Sequence, residues 1–228
     1  MRALFLTLIW LTATPAVAER VWRTHCRTQA QGRNVKPRSS RLSDGLVIVP
    51  NLVQPRLLLD KGEHLLKRRI RRKAAKIGRS SLGPWEKIAR IQRLIWMQVQ
   101  HAGNDSTDDN NPYYRFTKRA ARAGVTVQLR DYLKRRKVLC FELACLTQVA
   151  LEDAGLDAEL VGGVLFKRGQ RIGAHAWNTV KLDGTSRVVD TTNPDFNGED
   201  SKELEGPGTR DGWRFVRDSL WPDVVSPR

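Results

Sequence analysis

Cys140, His175 and Asp190 are the residues of this chain whose types and spacing suit chemistry; they stand 35 and 15 positions apart. A thiol attacks a carbonyl as the thiolate, so it needs a base. The base in turn needs an acceptor that fixes its tautomer. Cys140 opens a stretch that reads as a helix to Ala154, stopped by Gly155. At a helix start the dipole favours a thiolate, and the first-turn amides around Cys140 and Phe141 offer oxyanion donors. Lys134, Arg135, Arg136 and Lys137 just upstream add positive field. His175 lies on an alternating run over 174–182, Asp190 ends a run over 186–190, and Asp183-Gly184 between them reads as a two-residue hairpin turn. That turn sets Leu182 opposite Thr185 and Trp177 opposite Asp190. His175 and Asp190 then share a face as diagonal neighbours, about 7–8 Å apart at the backbone. A slip of one residue would put them on opposite faces. The competing structural reading is a buried cysteine, a core histidine and a capping aspartate.

The elements that must position these residues follow from periodicity. Residues 63–77 read as a very basic helix closed by Gly78. Pro84 starts a better one, with Glu86 in its first turn and Ile88, Ile91, Ile95 and Val99 as its buried stripe. Trp85 and Trp96 are expected to pack the same core. Residues 158–166 read as a strand, followed by a polar turn over 167–173 and the hairpin just described. Residues 46–49 form a short strand candidate, and residues 213–221 are expected to pack back on the body. Helices first and an antiparallel sheet afterwards give an α+β class.

Residues 126–193 resemble the core of the transglutaminase-like superfamily. Cys140-Phe141-Glu142-Leu143-Ala144 looks like its cysteine-helix motif. Leu156-Asp157-Ala158-Glu159-Leu160-Val161-Gly162-Gly163 looks like its passage from helix to strand. His175-Ala176-Trp177-Asn178 and Val188-Val189-Asp190-Thr191-Thr192 are similar to its histidine and aspartate motifs, and 84–100 to the helix that precedes the core. The resemblance implies a papain-like site, with Cys140 as nucleophile, His175 as general base and Asp190 as orienter. It implies a catalytic domain over 63–228 with its core at 84–195. Val138 stands where the family usually has Gly, and Gln98, Gln100 and Gln128 are the candidates for a side-chain oxyanion donor. The implied activity is hydrolysis of amide bonds in a protein or peptide substrate through a thioester, with no cofactor. Cross-linking by γ-glutamyl transfer is the alternative, and a non-catalytic binding module the second.

The whole chain sets further bounds. Residues 1–18 read as a signal peptide: Arg2, an apolar run, then Ala16-Val17-Ala18 before a cleavage point. The apolar run is too short to span a bilayer, and no later segment is long and apolar enough. A periplasmic or secreted protein is expected, with residues 19–62 as an irregular basic arm. The net charge of +16 is concentrated in Lys67, Arg68, Arg69, Arg71, Arg72, Lys73 and Lys76. Export disfavours nucleic acid as the partner of that charge and favours an anionic envelope surface, against the plainer reading of a solvated helix face. Three cysteines are too few for a disulfide scaffold. Cys26–Cys145 pairing and a buried free Cys145 are both open. Residues 104–111 have the oxygen density of a calcium site, through Asp105, Asp108 and Asp109. They lack the Gly and terminal Glu of an EF-hand loop, so a solvated loop is expected.

Overall fold

The computed structural model describes residues 46–49, 55–103, 110–201, 203, 212–217 and 223–225. The leader-like start, Cys26 and the acidic residues Asp105, Asp108 and Asp109 lie outside the described residues. In chain order the elements begin with β1 (Leu46–Val49) and β2 (Leu57–Leu59). A helical run follows: α1 (His64–Leu66), a π turn (Lys67–Arg71) and α2 (Arg72–Gly78). Then come α3 (Pro84–Gln98), β3 (Gln100–His101), α4 (Pro112–Arg122), β4 (Val127–Gln128), α5 (Leu129–Arg135) and β5 (Lys137–Val138). The second half is α6 (Cys140–Asp153), β6 (Ala158–Lys167), β7 (Gln170–Leu182), β8 (Thr185–Val189), a 3-10 turn (Pro194–Phe196), β9 (Trp213–Arg217) and β10 (Asp223–Val225). The class is α+β.

Helix α6 is the centre of the molecule. Every residue from Phe141 to Leu151 is buried, so it has no solvent face. A helix apolar nearly all round must be wrapped by other elements. Helices α2 and α3 cover it on one side, through Ala74, Ile88, Ile91 and Ile95. An antiparallel sheet of order β8-β7-β6-β9 covers it on the other. Ala176 and Val180 of β7 belong to this main core. Trp177 alternates to the far face and joins a second apolar cluster with Val161, Leu165, Val188, Phe196 and Phe215. The sheet is therefore apolar on both faces, which explains why the His175-to-Val180 stretch is buried without interruption.

The hairpin register agrees with the turn chemistry: Leu182 pairs with Thr185 and Asn178 with Val189. Asp183 and Gly184 both take positive φ, as the tight turn requires. The stripe Ile88, Ile91, Ile95 and Val99 is buried as the spacing predicts. Trp96 packs against the core, but Trp85 is 41% exposed, because α3 turns its first residues outward beside Gly198. Three features differ from the sequence reading. Leu57–Leu59 is a strand inside the stretch expected to be irregular, pairing with β1 and, in parallel, with β4. Helix α4 has no expected counterpart. Strand β7 begins at Gln170, within the expected polar turn. Strand β9 lies antiparallel to β6, so 213–217 do pack back on the body. Among the described residues no helix is long and apolar enough to cross a membrane.

Candidate active site

Cys140 is the first residue of α6. Its approach is extended, with Leu139 as N-cap at φ −109°, ψ −173°. The start is held by Glu142, whose carboxylate accepts the Leu139 amide at 2.9 Å. The same carboxylate accepts the Tyr113 hydroxyl at 3.1 and 3.2 Å. Burial pushes Glu142 up to about 7; the Leu139 amide and the Tyr113 and Tyr132 hydroxyls hold it from rising further. Cys145, one turn and a half along the helix, is a free and fully buried thiol. Burial, with Glu142 and Cys140 nearby, pushes it well up, so it is inert as a nucleophile.

His175 and Asp190 meet as the register requires. The ring Nε2 and Asp190 Oδ2 are 2.6 Å apart. Asp190 is fully buried and His175 nearly so, whereas Cys140 is partly exposed. Asp190 is held from several sides. Its Oδ1 accepts the amides of Thr192 at 2.8 Å and Asn193 at 3.0 Å; its Oδ2 also accepts the Asn193 side-chain amide at 3.2 Å. Its own amide donates to Asn197 Oδ1, and Asn197 in turn donates to Gln92 on α3 at 2.8 Å. The His175 ring stacks on Trp177 at 6.0 Å and meets the Phe215 edge at 5.8 Å. Gly163, opposite His175, leaves the room this needs: a Cβ there would clash with the Val216 carbonyl oxygen and lie 3.0 Å from the Trp177 ring.

The electrostatics of the ring follow from these partners. Burial pulls His175 down, but the Asp190 charge and hydrogen bond, joined by the Cys140 sulfur, more than offset it and bring the ring to about 10. The imidazolium is thus the neutral-pH form. With Nε2 committed to Asp190, Nδ1 is the nitrogen left for the sulfur. Sulfur and ring are neighbours, and the Cys140 side chain adds to the proton affinity of the ring through both its charge and a hydrogen bond.

All three residues singled out by the sequence are therefore brought together. Asn178, from the same His-Ala-Trp-Asn run, faces the other way and ties β7 to α6, donating to the Ala144 carbonyl at 3.1 Å and to Gln148 at 2.9 Å. Among the described contacts, none links Gln98, Gln100 or Gln128 to Cys140 or His175. Gln100 is exposed and holds Lys137, and Gln128 caps α5. Sequence reasoning missed Asn193, Asn197 and Gln92, which reach the site through irregular backbone and a distant helix. No group of acidic, histidine and cysteine side chains among the described residues could hold a metal.

No protein-family model matches the chain, and no curated protein does. Three solved structures illustrate what it is similar to. A candidate cysteine protease from Cytophaga hutchinsonii is 13% identical, over 71% of this chain and 49% of its own, with a TM-score of 0.39. The periplasmic domain of TgpA from Pseudomonas aeruginosa is 18% identical, over 54% and 42%, at 0.36. A TGase is 14% identical, over 77% and 38%, at 0.41. The chain spans half or less of each of these in length, and at such scores the likeness carries no inference about activity.

Proposed function

We propose that the protein is an exported cysteine hydrolase of amide bonds, acting on protein or peptide substrates. The observation that carries this reading is the buried 2.6 Å His175–Asp190 contact with the partly exposed Cys140 beside the ring, at the start of a buried helix. The sulfur attacks the carbonyl carbon as a thiolate, and the carbonyl π pair moves onto oxygen. When the pair returns, the C–N bond breaks and the amine leaves with the His175 proton. Water, deprotonated by the now neutral ring, then resolves the thioester and releases the acid. His175 thus acts first as an acid and then as a base. Asp190 keeps the ring oriented throughout and stabilises its charged form.

If a lysine amine replaces water, the same thioester gives a cross-link. Acceptor access decides between the two, and hydrolysis is the reading we favour. Export rests on the leader-like pattern of residues 1–18. The exposed cations Lys67, Arg68, Arg72, Lys73 and Lys76 on the α1-to-α2 run support docking to an anionic envelope surface.

Two measurements test this. Iodoacetamide should label Cys140 rapidly near neutral pH, and the advantage over denatured protein should vanish in His175→Ala. Labelling no faster than in denatured protein sinks the enzyme reading and leaves a binding module. Mass spectrometry of envelope proteins incubated with wild type and Cys140→Ala distinguishes the acceptors. New termini mean hydrolysis; a loss of about 17 Da, one ammonia, at Gln–Lys pairs means cross-linking.

A further inference from the structure

We propose that His101 is a catalytic residue of the same site, its Nε2–H donating to the oxyanion that forms when the Cys140 sulfur attacks a carbonyl. The inference rests on the hydrolase reading above. Strand β3 runs parallel to β5, with His101 opposite Val138. The Ala102 amide donates to the Val138 carbonyl at 2.8 Å and the Gln100 amide to the Arg136 carbonyl at 2.9 Å, so the pairing is fixed on both sides of His101. Partners in a parallel pair point their side chains to one face, and two residues on the face repeats. Leu139 is extended and Cys140 starts α6, so the strand that pairs with His101 leads straight to the sulfur, and His101 lies near enough to His175 to feel its charge. From strand spacing the two backbones stand roughly 8 Å apart, room for one planar carbonyl between an imidazole and a sulfur.

The tautomer is set locally. The Gly103 amide donates to His101 Nδ1 at 3.1 Å. A neutral ring that accepts at Nδ1 carries its proton on Nε2. Burial, and then the positive charge of His175, both lower the proton affinity of His101. The site therefore holds two imidazoles with different jobs: His175 charged and able to give up a proton, His101 neutral and a fixed N–H donor. The donor acts only while negative charge sits on the oxygen. It aids formation of the C–S bond and keeps its own proton when the C–N bond breaks. Preorganised donors aimed at developing charge are worth most in a site with little water.

The test uses the full chain and two reagents. p-Nitrophenyl acetate acylates Cys140 through a tetrahedral oxyanion, followed by p-nitrophenolate release in stopped flow, with Cys140→Ala as blank. Iodoacetamide alkylates the same sulfur at a saturated carbon and forms no oxyanion. His101→Ala should slow acylation about 100-fold and leave the alkylation rate unchanged. His101→Gln, which restores an N–H donor, should recover most of the loss. Acylation of His101→Ala at the wild-type rate overturns the oxyanion role and leaves the hydrolase reading standing. A parallel fall in both reactions that His101→Gln does not relieve also overturns it, since His101 would then act on assembly of the site. Wild type that acylates no faster than Cys140→Ala removes both readings.

Discussion

The buried carboxyl of Glu142 makes the stability of the nucleophile's helix depend on pH in a direction opposite to that of most carboxylates. Glu142 is 1% exposed and stands at about 7 rather than 4.5, because burial penalises its charge more than the hydrogen bonds it accepts repay. The folded state therefore holds a proton between pH 4.5 and 7 that the unfolded state has already released. Stability falls as pH rises across that window and is flat on either side. At about 1.4 kcal/mol per pH unit, the displacement amounts to roughly 3 kcal/mol. Glu142→Gln is nearly isosteric. It keeps an oxygen for the Leu139 amide and offers its own N–H₂ to a tyrosine oxygen. Urea titrations of wild type and Glu142→Gln at pH 4 and pH 8 isolate the effect, since other groups titrate equally in both. The variant should gain about 3 kcal/mol relative to wild type between the two pH values. A stability difference that does not change with pH refutes the reasoning. Glu142→Ala removes the same titration but strands the Leu139 amide and the Tyr113 hydroxyl, so it should be about 3 kcal/mol less stable than Glu142→Gln at both pH values.

Other perturbations read other parts of the site. His175 is raised in the fold, to about 10 against 6.5, so its pairing with Asp190 stabilises fully below pH 6.5 and is lost as pH rises through 10. The destabilisation caused by Asp190→Asn should thus be largest below pH 6.5 and shrink toward pH 10 in denaturant titrations; a constant difference would contradict the pairing. Asp190→Asn should also slow iodoacetamide labelling of Cys140 at pH 7 by about tenfold or more, because the ring is no longer held as imidazolium. Gly163→Ala should destabilise by about 3 kcal/mol through its clash with the Val216 carbonyl, seen as a lower urea midpoint at unchanged slope. Asn178→Ala should cost about 2–4 kcal/mol, since Ala144 and Gln148 on α6 lose its amide, and labelling of Cys140 should slow with it.

The legibility of this fold in its sequence tracks the length over which a local rule applies. Helix α6 is readable because fourteen residues rich in helix formers run unbroken from Cys140 toward a glycine stop. The β7–β8 register was readable because a two-residue turn admits one alignment, and that alignment alone brings His175 and Asp190 to one face. Helix α4 was not read, although Asn111-Pro112 is a helix-start signal: its side-chain oxygen takes the Tyr113 amide. Its buried face, Tyr113, Tyr114, Thr117 and Ala120, has helical spacing but no large aliphatic residue to mark it as core. Strands β2, β3, β4 and β5 are two or three residues each, too short for alternation to register. Their existence depends on partners far along the chain, as does the placement of His101. The Gln92–Asn197–Asp190 chain joins residues about a hundred positions apart and has no sequence signature at all.

That chain bears on how the site keeps its shape while its charges change. The reaction moves protons through Cys140 and His175. The groups that hold those residues in position are mostly backbone amides and the side-chain amides of Gln92, Asn178, Asn193 and Asn197. Side-chain amides do not titrate, so their hydrogen bonds survive any pH at which the fold survives. Glu142 is the exception, and it supports the helix start rather than the histidine. Loss of activity on the alkaline side should therefore follow deprotonation of His175 with little change in the Asp190 frame. A change at the helix start around Cys140 should instead follow the Glu142 carboxyl near pH 7. The two are separable by comparing labelling profiles of wild type and Glu142→Gln: the substitution should abolish any inflection near pH 7 and leave the one near pH 10 in place. An inflection near pH 7 that persists in the variant would mean that a group other than Glu142 governs the helix start.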